Sequence, residues 1–145
     1  LQQWGDYDMS GITVEDAQKG IAAGLAKANE LNSPSSIAIV DAGRNLLAFQ
    51  RMNGALLASI EISQGKAFTA RSLNMKTGDV MQYVQPGAPL YGMETSHRDR
   101  PFVVFGGGQP ITRKGEVVGA VGVAGGMVPD DEAVAAAVAK AIETA

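Results

Sequence analysis

Cysteine is absent from this 145-residue chain. That removes thiol nucleophiles, zinc–thiolate centres, iron–sulfur clusters and disulfides together. Histidine occurs once, at His97, and one imidazole cannot build a multi-histidine metal centre. Aromatics are few (Phe 4, Tyr 3, Trp 1), no long basic run exists and the net charge is −3. Phosphate binding needs a basic footprint, so nucleic acid is excluded as the main partner. No apolar run reaches the roughly 18 residues of a membrane span, and no secretory leader is visible. The chain opens at Leu1 rather than Met. A trimmed N-terminus is therefore expected, with a cytoplasmic location as the expectation and secretion left open.

What the chain does have is glycine: 18 of 145 residues, well above the roughly 7% of average usage. The glycines sit among Val, Ile and Ala, notably in Arg100-Pro-Phe-Val-Val-Phe-Gly-Gly-Gly-Gln-Pro-Ile-Thr-Arg and in Gly115-Glu-Val-Val-Gly-Ala-Val-Gly-Val-Ala-Gly-Gly. This placement points to turns and close backbone approaches, hence to a pocket or a subunit contact, and not to disorder. With 46% apolar and 19% charged residues, the composition is that of a globular protein. The length suits one domain over 12–145, preceded by a polar arm, 1–11, that carries Trp4 and Tyr7.

The first helix is expected from Thr13, where Thr13 and Asp16 resemble a capping box and Val14, Ala17, Ile21, Leu25 and Ala28 share a face. Asn32-Ser33-Pro34 ends it. A hairpin follows, with strands over 36–41 and 45–52 around the turn Ala42-Gly43-Arg44. A long helix is expected over 56–75, with Gly65 in its interior marking close packing. Thr77 is expected to cap a short helix ending before Pro86. The irregular stretch 86–100 is long enough to suggest a functional loop or an interface. Three short strands are expected at 102–105, 110–113 and 117–123, then an Ala-rich helix from Asp130. Hairpins in place of repeated crossovers imply an α+β fold, a mainly antiparallel sheet with helices packed on it.

Each candidate site residue has a plain and a sharp reading. The backbone of Gly106, Gly107 and Gly108 could cradle an anion or could simply make a turn. A strand follows these glycines and Pro110 sits where a helix would start, so a dinucleotide fingerprint is excluded. His97 reads as a solvated histidine or as a general base or axial metal ligand. Asp130-Asp131-Glu132 reads first as helix-cap acids. Lys66 is a solvated lysine or a partly buried ammonium, and with Glu61 it is a candidate acid/base. Arg51, at a strand end, either faces solvent or aims its guanidinium at a carboxylate.

Four ordered stretches carry a resemblance. Val40-Asp-Ala-Gly-Arg-Asn-Leu-Leu-Ala-Phe-Gln-Arg-Met-Asn-Gly-Ala, Ser59-Ile-Glu-Ile-Ser-Gln-Gly-Lys-Ala-Phe-Thr-Ala, Phe105-Gly-Gly-Gly-Gln-Pro-Ile with Val118-Gly-Ala-Val-Gly-Val-Ala-Gly-Gly, and Asp130-Asp-Glu-Ala-Val-Ala resemble the GlcG/HbpS family, also called haem-degrading, which includes the C-terminal domain of PduO. The resemblance spans about residues 12–143. It implies a profilin-like α/β/α sandwich with a five-stranded antiparallel sheet. It also implies a homo-oligomer (dimer or octamer) that binds haem or another tetrapyrrole, with weak haem-degrading activity. On that reading Arg51, Lys66 or Arg98 holds the propionates, and His97, Thr69 or Tyr91 supplies the iron ligand. Two alternatives stand beside it. One is an enzyme acting on a small carboxylate or hydroxy acid, its anion on Gly106–Gly108 and Lys66 or Glu61 as acid/base. The other is a non-catalytic assembly module.

Overall fold

The computed structural model describes residues 11–144, so the aromatic arm with Trp4 and Tyr7 lies outside the described residues. The elements run α1 (Val14–Glu30), β1 (Ser36–Asp41), β2 (Leu46–Arg51), α2 (Ser59–Leu73), a single turn α3 (Thr77–Val80), β3 (Gly108–Arg113), β4 (Glu116–Ala124) and α4 (Val128–Glu143). Short 3₁₀ turns cover Met81–Tyr83 and Met93–Thr95. The four strands form one antiparallel sheet in the order β2-β1-β4-β3.

The expected capping box is present. Thr13 Oγ1 accepts from the Asp16 N–H at 3.1 Å, and Asp16 Oδ2 accepts from the Thr13 N–H at 3.0 Å. Asp16 also meets Arg113 Nη1 at 3.0 Å, tying the start of α1 to the β3–β4 hairpin. The Arg113 guanidinium, with the Thr13 N–H, pulls the Asp16 carboxyl from 3.8 down to about 2.

Strand alternation splits the core in two. Ile37 and Ile39 on β1 pair with Val123 and Val121 on β4, and these face Val134, Val138 and Ile142 of α4 across the larger core. Helix α1 packs on the same side, burying Ala17 and Ala28. The intervening residues Ala38, Val40 and Ala120 face Ala67 and Ala70 of α2. This second layer is built from small residues because α2 lies almost on the sheet. A Cβ at Gly122 would collide with the Ser63 carbonyl oxygen and come within 2.5 Å of the Ala67 nitrogen. Ser36 Oγ and Ser59 Oγ, 2.7 Å apart and buried, pin β1 to the first residue of α2.

Several expectations are corrected. Among the described residues the sheet has four strands, not five. The segment 102–105 forms no strand, because it runs along α2 instead of pairing. The Val103 N–H donates to Thr69 Oγ1 at 2.8 Å, and Val103 fills the space left by Gly65, 2.7 Å from where a Cβ would stand. The close packing expected at Gly65 is thus met by this segment. Helix α2 is shorter than 56–75, and Leu57 lies before it, exposed. Val14, expected on the buried face, is exposed. Thr77 is the first residue of its helix and not its cap. Its Oγ1 accepts from the Gly108 N–H at 2.8 Å. Helix α4 starts at Val128, two residues before Asp130. No helix among the described residues is long and apolar enough to cross a membrane.

Two outcomes test this packing. Gly122→Ala is expected to cost about 3 kcal/mol, at the upper end of overpacking effects, because its neighbours are backbone atoms. Gly11→Ala, with nothing within 4 Å, should stay within about 0.5 kcal/mol of wild type; urea unfolding of both measures the contrast. The lowered carboxyl of Asp16 contributes stability that is complete above pH 3.8 and is lost as pH falls toward 2. Acid unfolding of Asp16→Asn should lack that component, while a curve parallel to wild type would count against the Arg113 bridge.

Candidate functional site

The glycine-rich β3 start and the α2 and α4 helices meet around one side chain. Lys66 on α2 is among the most buried residues of the fold, at 1% exposure. Its Nζ donates to the Val123 carbonyl at 2.7 Å and to Asp131 Oδ2 at 3.2 Å. Asp131 Oδ1 accepts from the Gly126 N–H at 3.0 Å. The Phe105 ring centre lies 5.0 Å from Nζ. Burial pulls the Lys66 ammonium below its ordinary 10.5 and pushes the Asp131 carboxyl above its ordinary 3.8, and each partner's charge opposes the other's shift. The plain readings of Lys66 as a solvated lysine and of Asp131 as a cap acid are therefore both replaced. The two form a buried pair.

Gly106, Gly107 and Gly108 serve this pair by leaving room for it. Gly107 has φ +127°, a conformation reserved for glycine, and a Cβ there would stand 2.6 Å from Lys66 Nζ. A Cβ at Gly108 would meet the Lys66 carbonyl oxygen at 2.6 Å, and one at Gly106 would meet Glu132 Cδ at 2.7 Å. With all three buried and the Gly108 N–H already bonded to Thr77, the stretch is filled by side chains. Glu61 stands apart, exposed in the first turn of α2.

A second cluster lies on the same helix, two residues on. Phe68 is 1% exposed, yet the groups that cover it are mostly polar. Phe102 stacks near it, with centroids 5.6 Å apart and planes at 25°. His97 meets it edge-on at 5.6 Å. The Arg100 guanidinium lies 4.0 Å from the ring centre and that of Arg44 lies 5.0 Å away. Arg100 Nη2 donates to the Arg44 carbonyl at 3.1 Å, and Arg44 Nη1 to Ser72 Oγ at 3.3 Å.

Local sequence explains this convergence. Asp41 Oδ1 accepts from the N–H groups of Gly43 and Asn45, a turn that holds Arg44 at φ +67° and brings it to α2. Thr69, buried, donates to the Gly65 carbonyl at 2.7 Å and accepts from Val103, placing Phe102 beside Phe68. The Arg100 N–H donates to His97 Nδ1 at 3.1 Å. Since a backbone nitrogen can only donate, Nδ1 is the acceptor and the neutral ring carries its proton on Nε2. Tyr91 and Arg98 lie exposed in the long loop.

Arg51 belongs to neither cluster. It lines a cavity of about 310 Å³ with Leu25, Asn29, Gln50, Met52 and Asn53. An apolar groove of about 370 Å³ between α1 and β2 shares Leu25 and Gln50 with it. Of the expected ligand-holding residues, the fold groups Lys66 with Gly106–Gly108, places His97 on the aromatic cluster, and leaves Arg51 and Glu61 elsewhere. Arg44, Arg100 and Phe68 were missed as site residues. Arg44 was legible only as part of a turn, and no local pattern ties it to position 100.

Comparison with known proteins gives these clusters a context. Residues 12–140 match the family model described as haem degrading protein HbpS-like. The chain belongs to the HbpS-like family. It is 45% identical over 124 residues to an uncharacterized 15.0 kDa protein from the dhaT–dhaS intergenic region of Citrobacter freundii, covering 86% of this chain and 87% of that one. The crystal structure of Klebsiella pneumoniae ORFY superposes with a TM-score of 0.90 at 37% identity, covering 97% of both chains. A crystal structure of a PduOC–haem complex superposes with a TM-score of 0.85 at 36% identity, covering 90% of this chain and 94% of that one. The family assignment agrees with the resemblance carried by the four sequence stretches.

The buried pair has a measurable signature. Lys66→Met should cost about 3–5 kcal/mol, because it leaves the Asp131 carboxylate buried without its partner. Lys66→Met with Asp131→Leu should recover most of that loss, as an apolar pair of similar size replaces the ionic one. A double-mutant cycle in urea measures the coupling, and additive losses would show that the two side chains do not act as a pair.

Proposed function

We propose that this HbpS-like chain binds haem or a closely related tetrapyrrole and works as a homo-oligomer. The observation that carries the reading is the surface cluster on α2. The single imidazole of the chain sits against two phenylalanine rings, and two guanidiniums lie on the same ring system. A tetrapyrrole offers a flat apolar face, a metal seeking a nitrogen donor and peripheral carboxylates. The residues present match all three. The haem complex of the PduOC relative supports the reading from outside the chain.

His97 is the residue proposed to hold the iron. Bound haem would supply redox and oxygen chemistry at its iron, and weak haem degradation belongs to that chemistry. The chain's own contribution is to bind, to orient and to keep one face dry. Because Nδ1 accepts from Arg100, Nε2 carries the proton, and its lone pair becomes available only when the proton moves to Nδ1. The hydrogen bond from the Arg100 N–H to Nδ1 must then break, so ligation by His97 Nε2 requires the end of the 86–100 loop to shift. Thr69 is a weaker candidate, since its hydroxyl is already bonded on both sides. Tyr91, at 67% exposure, is free of such bonds among the described residues.

The homo-oligomer part rests on exposed apolar side chains. Leu57 is 73% and Met127 74% exposed. Each lies two residues from the place where Gly125 packs against Ser59. Large exposed apolar side chains near such a junction are the kind that an interaction surface covers.

A second reading has its own observation. The open cleft beside Arg51 is lined by Asn29, Gln50 and Asn53, a cation and amide donors such as a small carboxylate can use. A thermal-shift screen with small hydroxy acids, repeated on Arg51→Gln, separates it from the haem reading.

Haemin titration followed by visible absorption tests the main reading. Wild type should saturate and show the spectrum of an imidazole-ligated ferric haem. His97→Ala should shift the Soret band and weaken binding by about tenfold or more. Identical spectra and affinities in the two proteins would remove His97 as the ligand. Light scattering should give a mass at least twice the 15.0 kDa of one chain. A single 15.0 kDa species at micromolar concentration would remove the oligomer.

A further inference from the structure

Arg44 and Arg100 come from distant parts of the chain, the β1–β2 turn and the end of the long loop. Both guanidiniums converge on the buried Phe68 ring, at 5.0 and 4.0 Å. Two cations do not gather without cause. Desolvation, and after it the repulsion from Arg44, pulls the Arg100 guanidinium below its ordinary range. Among the described residues, neither forms an ion pair with a carboxylate. Arg100 spends one N–H donor on the Arg44 carbonyl and Arg44 one on Ser72. Among the described residues the rest of each planar fork is unbonded, and such a fork matches a carboxylate in bidentate fashion. The like charges are held together by hydrogen bonds that fix the backbone on either side. Asp41 fixes the turn that carries Arg44, and the Val103–Thr69 bond anchors the chain just beyond Arg100.

We infer that Arg44 and Arg100 form a two-armed carboxylate clamp, which takes a flat aromatic ligand bearing one or two carboxylates against the exposed His97 and half-buried Phe102 that cover Phe68. The clamp deepens the tetrapyrrole reading and rests on it for the identity of the ligand. It replaces Arg51, Lys66 and Arg98 as holders of the propionates. Of those three, Arg51 lines a different cavity and Lys66 is paired internally with Asp131. A carboxylate between the arms would cancel the repulsion and tie the loop end to the β1–β2 turn.

The test compares protoporphyrin IX, which has two free carboxylates and no iron, with its dimethyl ester, by equilibrium dialysis at matched detergent. Arg44→Gln and Arg100→Gln should each lower protoporphyrin affinity by about tenfold or more, the scale of a charge-assisted hydrogen bond. Affinity for the ester should stay within about twofold. If uncovering Phe68 prevents the Gln variants from folding, Arg44→Lys and Arg100→Lys keep the charge and lose the fork, and should give a smaller, still ester-insensitive loss. Equal losses for acid and ester, or none, would overturn the clamp while leaving the haem reading in place. If wild type binds no porphyrin, the haem reading fails, and the clamp is then decided by titration with benzene-1,3-dicarboxylate watched at the arginine side-chain NMR signals. Saturable shifts at Arg44 and Arg100 would uphold it, and unmoved signals would overturn it.

Discussion

The arrangement of this fold depends on burying the Lys66 ammonium. Taking a charge of this kind out of water costs several kcal/mol unless a partner and further hydrogen bonds compensate. Three elements meet that need. Helix α2 brings the lysine, β4 offers the Val123 carbonyl, and α4 brings Asp131, itself held by the Gly126 N–H. Lys66 reaches from one face of the sheet to the end of a helix on the other. The pair therefore sets where α2 and α4 sit relative to the sheet end. The glycines at 106–108 follow from it, since a side chain at any of them would strike Glu132, Lys66 or the groups that hold Lys66.

The close approach of α2 has a second consequence. A helix resting on Ala38, Ala120 and Gly122 presents its next residues to whatever chain passes beside it. Phe68 is presented to the segment 97–103 and to the β1–β2 turn, not to the sheet. The result is a buried aromatic ring roofed by arginines and a histidine instead of by aliphatic side chains. Structure and candidate chemistry thus share one helix. Lys66 locks it in place, and Phe68, two residues later, gathers the groups that face outward.

The segment 102–105 shows why a strand-like sequence need not be a strand. Phe-Val-Val-Phe has strand propensity, but β3 begins only at Gly108. The Thr69 hydroxyl and the space at Gly65 offered the segment a hydrogen bond and a contact along α2. Propensity is a weak preference of this kind, and tertiary contacts override it. The same holds for Asp131. Its place among first-turn acids suggested a cap, and only the burial of a lysine 65 residues away turns it inward.

Periodicity, capping and turn chemistry are local, and the sequence by itself determined what depends on them: the capping box of Thr13 and Asp16, the hairpin around Gly43, the three long helices, the antiparallel α+β class and, through four ordered stretches, the family. The tertiary structure alone decided the rest. It counted the strands, drew Lys66 to Asp131, filled the glycine stretch with side chains, and set Arg44 against Arg100 over Phe68. Each of these joins residues tens of positions apart, and no pattern in the chain encodes a distance across the fold. A lysine reads the same in sequence whether it faces water or a carboxylate; burial alone distinguishes the two, and burial is a property of the packed molecule.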